Sequence, residues 1–237
     1  MPEPRIGIII FARMSSSRLP GKMLRPLGPT TLFDRVVERA RLLDHDMMLA
    51  TSDQESDDPL VERARELDLP VFRGSLDDVL GRALAAARHA GFDAFCRLCG
   101  DRPLMPLDDM RRGMEVMRRS LIQGTPLDLV TTHLPTPVPP GLATEIIRTD
   151  VLAEIHNNGP RENELEHVTT AFYEYPDAFQ IHPMATDLRK IGIVHLSVDT
   201  EHDLQLIGKI IEQNPDVEVS EKDAAQAWKD LANSQPA

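Results

Sequence analysis

The chain has 237 residues, 41% apolar and 27% charged, enough to bury one large α/β core. Its net charge of -12 repels nucleic-acid backbones and anionic membranes, so no nucleic-acid partner is expected and any polyanion must meet a locally basic site. No run of about 18 apolar residues is present to cross a bilayer, and Met1-Pro-Glu-Pro-Arg5 lacks the basic-then-apolar layout of a secretory leader; a cytoplasmic protein without membrane insertion is expected.

Short apolar runs alternate with segments of helical period, the pattern of a mostly parallel sheet covered by helices. Strands are predicted at Ile6 to Phe11, Met47 to Thr51, Pro70 to Phe72, Ala94 to Leu98, Leu127 to Thr132 and Ile191 to Leu196. Thr31 to Leu43 is predicted helical, because Phe33, Val36, Val37, Ala40 and Leu43 share one face. Asp58 before Pro59, Ser75 before Asp77 and Asp78, Thr200 before Glu201 and Asp203, and Ser220 before Asp223 mark further helix starts. Asp77 and Asp78 are thereby placed in the first turn of a helix reaching Ala90, where carboxylates suit the dipole with or without a function. The proline-rich stretch Leu134 to Gly141 reads as a hinge or extended arm, dividing the first half of the chain from a half that holds Glu145, His167 and Asp199.

Cys96 and Cys99 form a C-x-x-C, but they fall on a predicted strand where residues three apart face opposite ways, and no second pair completes a zinc site. Free thiols are expected.

The loop after the first strand concentrates positive charge. Arg5, Arg13, Arg18, Lys22 and Arg25 stand within 21 residues of an otherwise acidic chain, which points to a small anionic ligand. Ser15, Ser16 and Ser17 let backbone N–H groups approach phosphate oxygens, Gly21 permits a tight turn, and Arg13, Arg18 and Lys22 neutralise charge. The loop is not a G-x-x-x-x-G-K-[ST] element, since its first glycine is missing and Met23-Leu24 follows the lysine.

Arg13-x-x-Ser-Ser-Arg18-Leu-Pro-Gly-Lys22 resembles the R-x-x-S-x-R-L-P-G-K loop of cytidylyltransferases that make CMP-activated acidic sugars, and in particular of the spore coat polysaccharide biosynthesis protein F group. Ala50-Thr-Ser-Asp53, Phe72-Arg-Gly-Ser-Leu-Asp-Asp-Val-Leu80 with Arg82, Gly100-Asp-Arg-Pro-Leu104, Glu166-His-Val-Thr169 and Val198-Asp-Thr200 are similar, in order, to further elements of that group. The likeness covers roughly residues 5 to 212; it departs at Phe11, Ser15 and Cys99, where the group commonly has Gln, Gly and a hydroxyl residue.

The resemblance implies a single α/β domain with a Rossmann-like, mostly parallel sheet of the nucleotide-diphospho-sugar transferase (GT-A-like) type. It would comprise a nucleotide-binding half over about 1–132, an acceptor-binding and dimerisation insertion over about 133–190, and a return to the sheet with C-terminal helices over 191–237. It also implies nucleotide contacts at Ala12, Arg13, Ser17, Arg18, Gly21, Lys22, Ser52, Asp53, Arg73, Ser75, Asp78 and Gly100, and acceptor contacts at Glu145 and His167. A homodimer is implied as well, with Phe172, Tyr173 and Tyr175 as a docking face or interface.

Nucleotidyl transfer needs a hard divalent cation to offset charge at the α-phosphate. Asp101 and Asp199 each follow a predicted strand and would emerge beside the basic loop if those strands are parallel; strand-to-helix caps are the other reading. The resemblance assigns the same two aspartates to Mg²⁺. The expected reaction moves CMP from CTP to an acidic sugar or related acceptor with release of pyrophosphate, with Arg13, Lys22 and Asp101 as the catalytic set. A glycosyltransferase would need a D-x-D motif, and the one match, Asp44-His45-Asp46, precedes a strand instead of following one. A non-catalytic nucleotide-binding module would hold CTP without releasing pyrophosphate.

Overall fold

Ile8, Ile9 and Ile10 are consecutive and all fully buried, as expected of a strand covered on both faces. They belong to β1 (Ile6–Phe11) in a computed structural model that describes residues 3–233. The other strands are β2 (Pro26–Leu27), β3 (Thr30–Thr31), β4 (Met47–Ser52), β5 (Val71–Gly74), β6 (Ala94–Cys99), β7 (Leu129–Thr131), β8 (Glu145–Arg148) and β9 (Ile181–Pro183). The α-helices are α1 (Leu32–Arg41), α2 (Asp58–Glu66), α3 (Val79–Ala90), α4 (Leu107–Ile122), α5 (Thr149–Asn157), α6 (Glu162–Glu166), α7 (Thr170–Glu174), α8 (Glu201–Gln213) and α9 (Glu221–Asn233). None of them is long and apolar enough to cross a membrane.

Seven strands form one sheet in the order β5-β4-β1-β6-β8-β7-β9, with β2 and β3 as a separate ribbon. Only β8 runs against its neighbours; β1, β4, β5 and β6 are mutually parallel, so their carboxyl ends share one edge. Ile8, Ile10, Cys96 and Leu98 face the layer of α1, α2, α4, α8 and α9. Ile9, Phe95 and Ile147 face α3, α5 and α7. The Rossmann-like expectation therefore holds, with the mostly parallel sheet between two helical layers.

The helix starts follow their caps. Thr31 and Thr200 each close a capping box with an aspartate three residues on, Asp34 and Asp203. The helix predicted from Asp77 begins instead at Val79, because Asp78 is its N-cap and accepts from Gly81 N.

Ile191 to Leu196 is not a strand. Gly192 takes φ +88° and Ile193 is 94% exposed, so the apolar run turns outward and cannot alternate into a sheet. Residues 191–233 accordingly add no strand, and the far end of the sheet is β8-β7-β9, of which β8 and β9 are short strands inside the expected insertion. The irregular segment after Ile191 runs against the proline-rich stretch: Leu196 N donates to Pro140 O, and Val198 N donates to Asp101 O. Gly141 (φ +91°) lies so close that a Cβ there would stand 2.4 Å from the Leu196 carbonyl carbon. The proline-rich stretch is pinned as well as extended, since the Arg189 guanidinium donates to Thr132 O, Leu134 O and Thr136 O.

Candidate active site

The carboxyl edge of the four parallel strands carries a pocket lined by the loop after β1, the start of α3, the end of β6 and the α6 terminus. Open α/β sheets bind ligands at this edge. Arg13, Ser17, Arg18 and Lys22 line it with Ala12, Gly100, Asp101, His167 and Asp199, so sequence positions more than 180 apart meet in one cleft.

The centre of the cleft is a charge cluster. Lys22 Nζ lies 3.0 Å from Asp101 Oδ2 and 3.5 Å from Asp199 Oδ1, and it donates to Val198 O at 2.8 Å. Arg18 reaches Asp199 Oδ1 at 2.8 Å from its exposed stem. His195 Nε2 is 3.4 Å from the other Asp199 oxygen and 3.0 Å from Ser197 Oγ. Lys22 is buried, so its ammonium is held in place by these partners with little screening. Asp199 arrives by the irregular segment fixed against Gly141 and Asp101, not at a strand end.

One backbone hydrogen bond and one close approach bring the β1 and β6 loops together. Gly100 N donates to Phe11 O, and a Cβ at Gly100 would meet the Ala12 methyl at 2.8 Å and Met23 Sδ at 2.9 Å, leaving no room for a side chain. Gly21, at φ +70°, makes the turn that delivers Lys22.

The remaining expected contacts fall elsewhere. Asp78 caps α3 and meets His156 Nε2 at 2.9 Å, and Ser75 Oγ accepts from Asp78 N; both lie outside the pocket lining. Arg73 braces the loop after β4 by donating to Ser52 O and Gln54 O and pairing with Asp58. Ser52 is buried against Asp57, and exposed Asp53 accepts from Gln54 Nε2.

Glu145 lies beneath the pocket. One of its oxygens accepts from Arg97 Nη1 at 2.6 Å and the other from Tyr173 O–H at 2.7 Å. Burial alone pushes its carboxyl up, but the charges of Arg97 and Arg102 and these hydrogen bonds outweigh burial and hold it at about 2. His167 is exposed, ends α6 and lines the pocket beside Glu166.

Three further residues belong to this region. Arg97 is a charge inside the apolar run of a central strand, a signal that marks a site; it lines the pocket floor. Arg82 lies one helical turn after Val79 on the same face of α3 and lines the wall. Burial lowers the Arg82 pKa, and the positive charge of Arg13, which lines the same pocket, lowers it further. Asp57, fully buried, accepts from Met14 N in the basic loop and from Thr51 and Ser52 at the end of β4. No local pattern signals that role.

The model of a family described as Cytidylyltransferase matches residues 7–223. The chain belongs to the cytidylyltransferase family. It is 31% identical over 230 residues to the spore coat polysaccharide biosynthesis protein SpsF of Bacillus subtilis, covering 91% of each chain. A 3-deoxy-manno-octulosonate cytidylyltransferase of Acinetobacter baumannii is 36% identical over 106 residues, 42% of this chain and 40% of that one. The solved structure of a cytidylyltransferase from Leptospira borgpetersenii superposes with a TM-score of 0.88 at 25% identity, over 99% of both chains.

This cytidylyltransferase is thus a nucleotidyltransferase, and its cleft gathers the basic side chains Arg13, Arg18, Lys22, Arg82 and Arg97. Asp44-His45-Asp46 precedes β4 at the opposite edge of the sheet, where Asp46 pairs with Arg5, so the D-x-D match takes no part in the cleft. Among the described residues no group of three His, Cys, Asp or Glu side chains converges as a complete metal site. Asp101 and Asp199 nevertheless present two hard carboxylate oxygens within 3.5 Å of one point, the position of Lys22 Nζ. That donor set suits a small divalent cation that takes its other ligands from phosphate and water.

Proposed function

We propose that the protein transfers CMP from CTP to a hydroxyl of an acidic sugar or related acceptor, releasing pyrophosphate. The observation that carries this reading is the convergence of Lys22, Arg18, Asp101 and Asp199 at the carboxyl edge of the sheet, beneath the basic loop. The acceptor oxygen attacks the α-phosphorus of CTP in line, the bond to the β-phosphate oxygen breaks, and the acceptor proton passes to solvent. No covalent enzyme intermediate is required.

Arg13, Arg18 and Lys22 bind the triphosphate and neutralise the charge that the departing pyrophosphate develops. The Ala12–Gly100 contact keeps side chains out of the space between the two loops, so backbone and phosphate can approach closely. Asp101 and Asp199 would hold Mg²⁺ or a cation of similar hardness, which supplies electrostatic polarisation of the α-phosphate when bound. The Glu145–Arg97–Tyr173 cluster fixes the floor next to His167, the side from which an acceptor enters.

The acidic-sugar class is supported by the relatives named for 3-deoxy-manno-octulosonate and for spore coat polysaccharide synthesis. Pyrophosphate release measured with ATP, GTP, UTP and CTP against a panel of acidic sugars tests the reading. Release that depends on CTP and on an acidic acceptor is expected. Release with another triphosphate alone, or none with any acceptor, overturns it.

A further inference from the structure

We propose that Asp57 is the positioning residue of the nucleotide site: its buried carboxylate fixes Met14, and through Met14 the turn that presents Lys22. Asp57 occupies the N-cap of α2, where an aspartate ordinarily accepts from the first free N–H groups of its own helix. Here it makes no such bond. The side chain turns inward instead, fully buried, and is saturated by partners from two other segments. Oδ1 accepts from Met14 N at 2.7 Å; Oδ2 accepts from Thr51 Oγ1 at 2.9 Å, Ser52 N at 3.1 Å and Ser52 Oγ.

Met14 passes the constraint on. Its carbonyl accepts from Gly21 N at 2.9 Å, across the loop that carries Ser15, Ser16, Ser17 and Arg18. Gly21 then makes the left-handed turn that leads into Lys22. One carboxylate therefore ties the end of β4 to both stems of the basic loop, so the loop's cations are held before a ligand arrives. Pre-organisation of this kind lowers the ordering cost of binding. Burial removes Asp57 from any contact with substrate. Burial pushes its carboxyl up, yet the hydrogen bonds from Ser52, Met14 and Thr51 prevail and keep it below its ordinary value, so it stays an acceptor on both oxygens.

The chemistry of an amide separates the two sides of this carboxylate. In Asp57→Asn the carbonyl oxygen satisfies the three-donor side, and the NH₂ group is left facing Met14 N–H, donor against donor. The loop is released while β4 keeps its partner. Thr51→Val is the complementary change: it deletes one bond of the same buried cluster and leaves the Met14 bond intact.

The inference rests on the reading of the basic loop as the triphosphate site. The test uses the full chain with CTP and Mg²⁺, binding by calorimetry, KM and kcat by pyrophosphate release, and the thermal midpoint by circular dichroism. Asp57→Asn is expected to raise Kd and KM for CTP about 10-fold or more while the acceptor KM stays within about 2-fold. Thr51→Val is expected to lower the thermal midpoint and leave KM for CTP within about 2-fold. Met14→Pro deletes the same N–H from the loop side and carries the test should Asp57→Asn not fold; it is expected to raise KM for CTP likewise. An unchanged KM for CTP in Asp57→Asn or Met14→Pro, or an equal rise in Thr51→Val, overturns the proposal. If Arg18→Ala weakens CTP binding and these variants do not, only the role of Asp57 fails; if Arg18→Ala also leaves binding untouched, the loop reading fails and takes this inference with it.

Discussion

The ammonium of Lys22 stands 3.0 Å from Oδ2 of Asp101, 79 residues later in the chain. Lys22 is shared with Asp199 at 3.5 Å, and the cluster sits where two strand-end loops touch. Lys22→Ala leaves Asp101 without its ammonium partner and Asp199 with Arg18. Asp101→Asn removes a charge from the opposite side. Each is expected to lower kcat/KM for pyrophosphate release by about 100-fold or more, with the circular dichroism spectrum retained. Activity within a few-fold of wild type in either variant would exclude the assigned roles.

Asp101 and Asp199 are the two carboxylates within 3.5 Å of Lys22 Nζ in the cleft. Treatment with a chelator is expected to abolish pyrophosphate release, and Mg²⁺ or Mn²⁺ to restore it. Asp199→Asn is expected to raise the cation concentration needed for half-maximal activity by about 10-fold. Activity insensitive to chelation would remove the cation from the mechanism.

Gly141 and the Leu196 backbone fit together without room for a side chain. In Gly141→Ala the new Cβ meets the Leu196 carbonyl carbon at 2.4 Å and the backbone adopts a left-handed φ. The segment leading to Asp199 must shift. A loss of about 1–3 kcal/mol of stability in denaturant unfolding is expected, together with a fall in activity larger than that loss explains. Wild-type stability and rate would show that the segment gives way freely.

Glu145 links stability to pH. Its folded pKa, about 2, lies below the ordinary 4.5, so its contribution is present above about pH 5 and is lost as pH falls toward 2. Glu145→Gln is expected to flatten this part of the stability profile. At neutral pH it costs about 2–4 kcal/mol, because Arg97 is left half-buried beside a neutral partner. Denaturant unfolding at a series of pH values measures both effects; parallel profiles for variant and wild type would place the acid sensitivity elsewhere.

The basic loop and Asp101 are legible in the sequence because their positions are set locally. An apolar run covered on both faces ends at the sheet edge, and the polar residues that follow must lie there. Helix starts are legible for the same reason: Thr31 and Thr200 bond to residues three positions away. What depends on distant pairing is not legible. Short β8 and β9 draw their identity from β6 and β7, while Ile191 to Leu196 looks like a strand and is none, since no neighbour offers it a ladder. Ser75 and Asp78 are already placed at a helix start by the sequence, but only the packed chain shows Arg73 bracing the loop after β4. Asp57 is the clearest case: from sequence it is one carboxylate among several at a helix start, and only the burial of its side chain between β4 and the Met14 backbone, 43 residues away, turns it into the anchor of the loop. Local hydrogen bonding and periodicity wrote the elements; the direction a buried carboxylate faces was decided by which unpaired donors tertiary packing left within its reach.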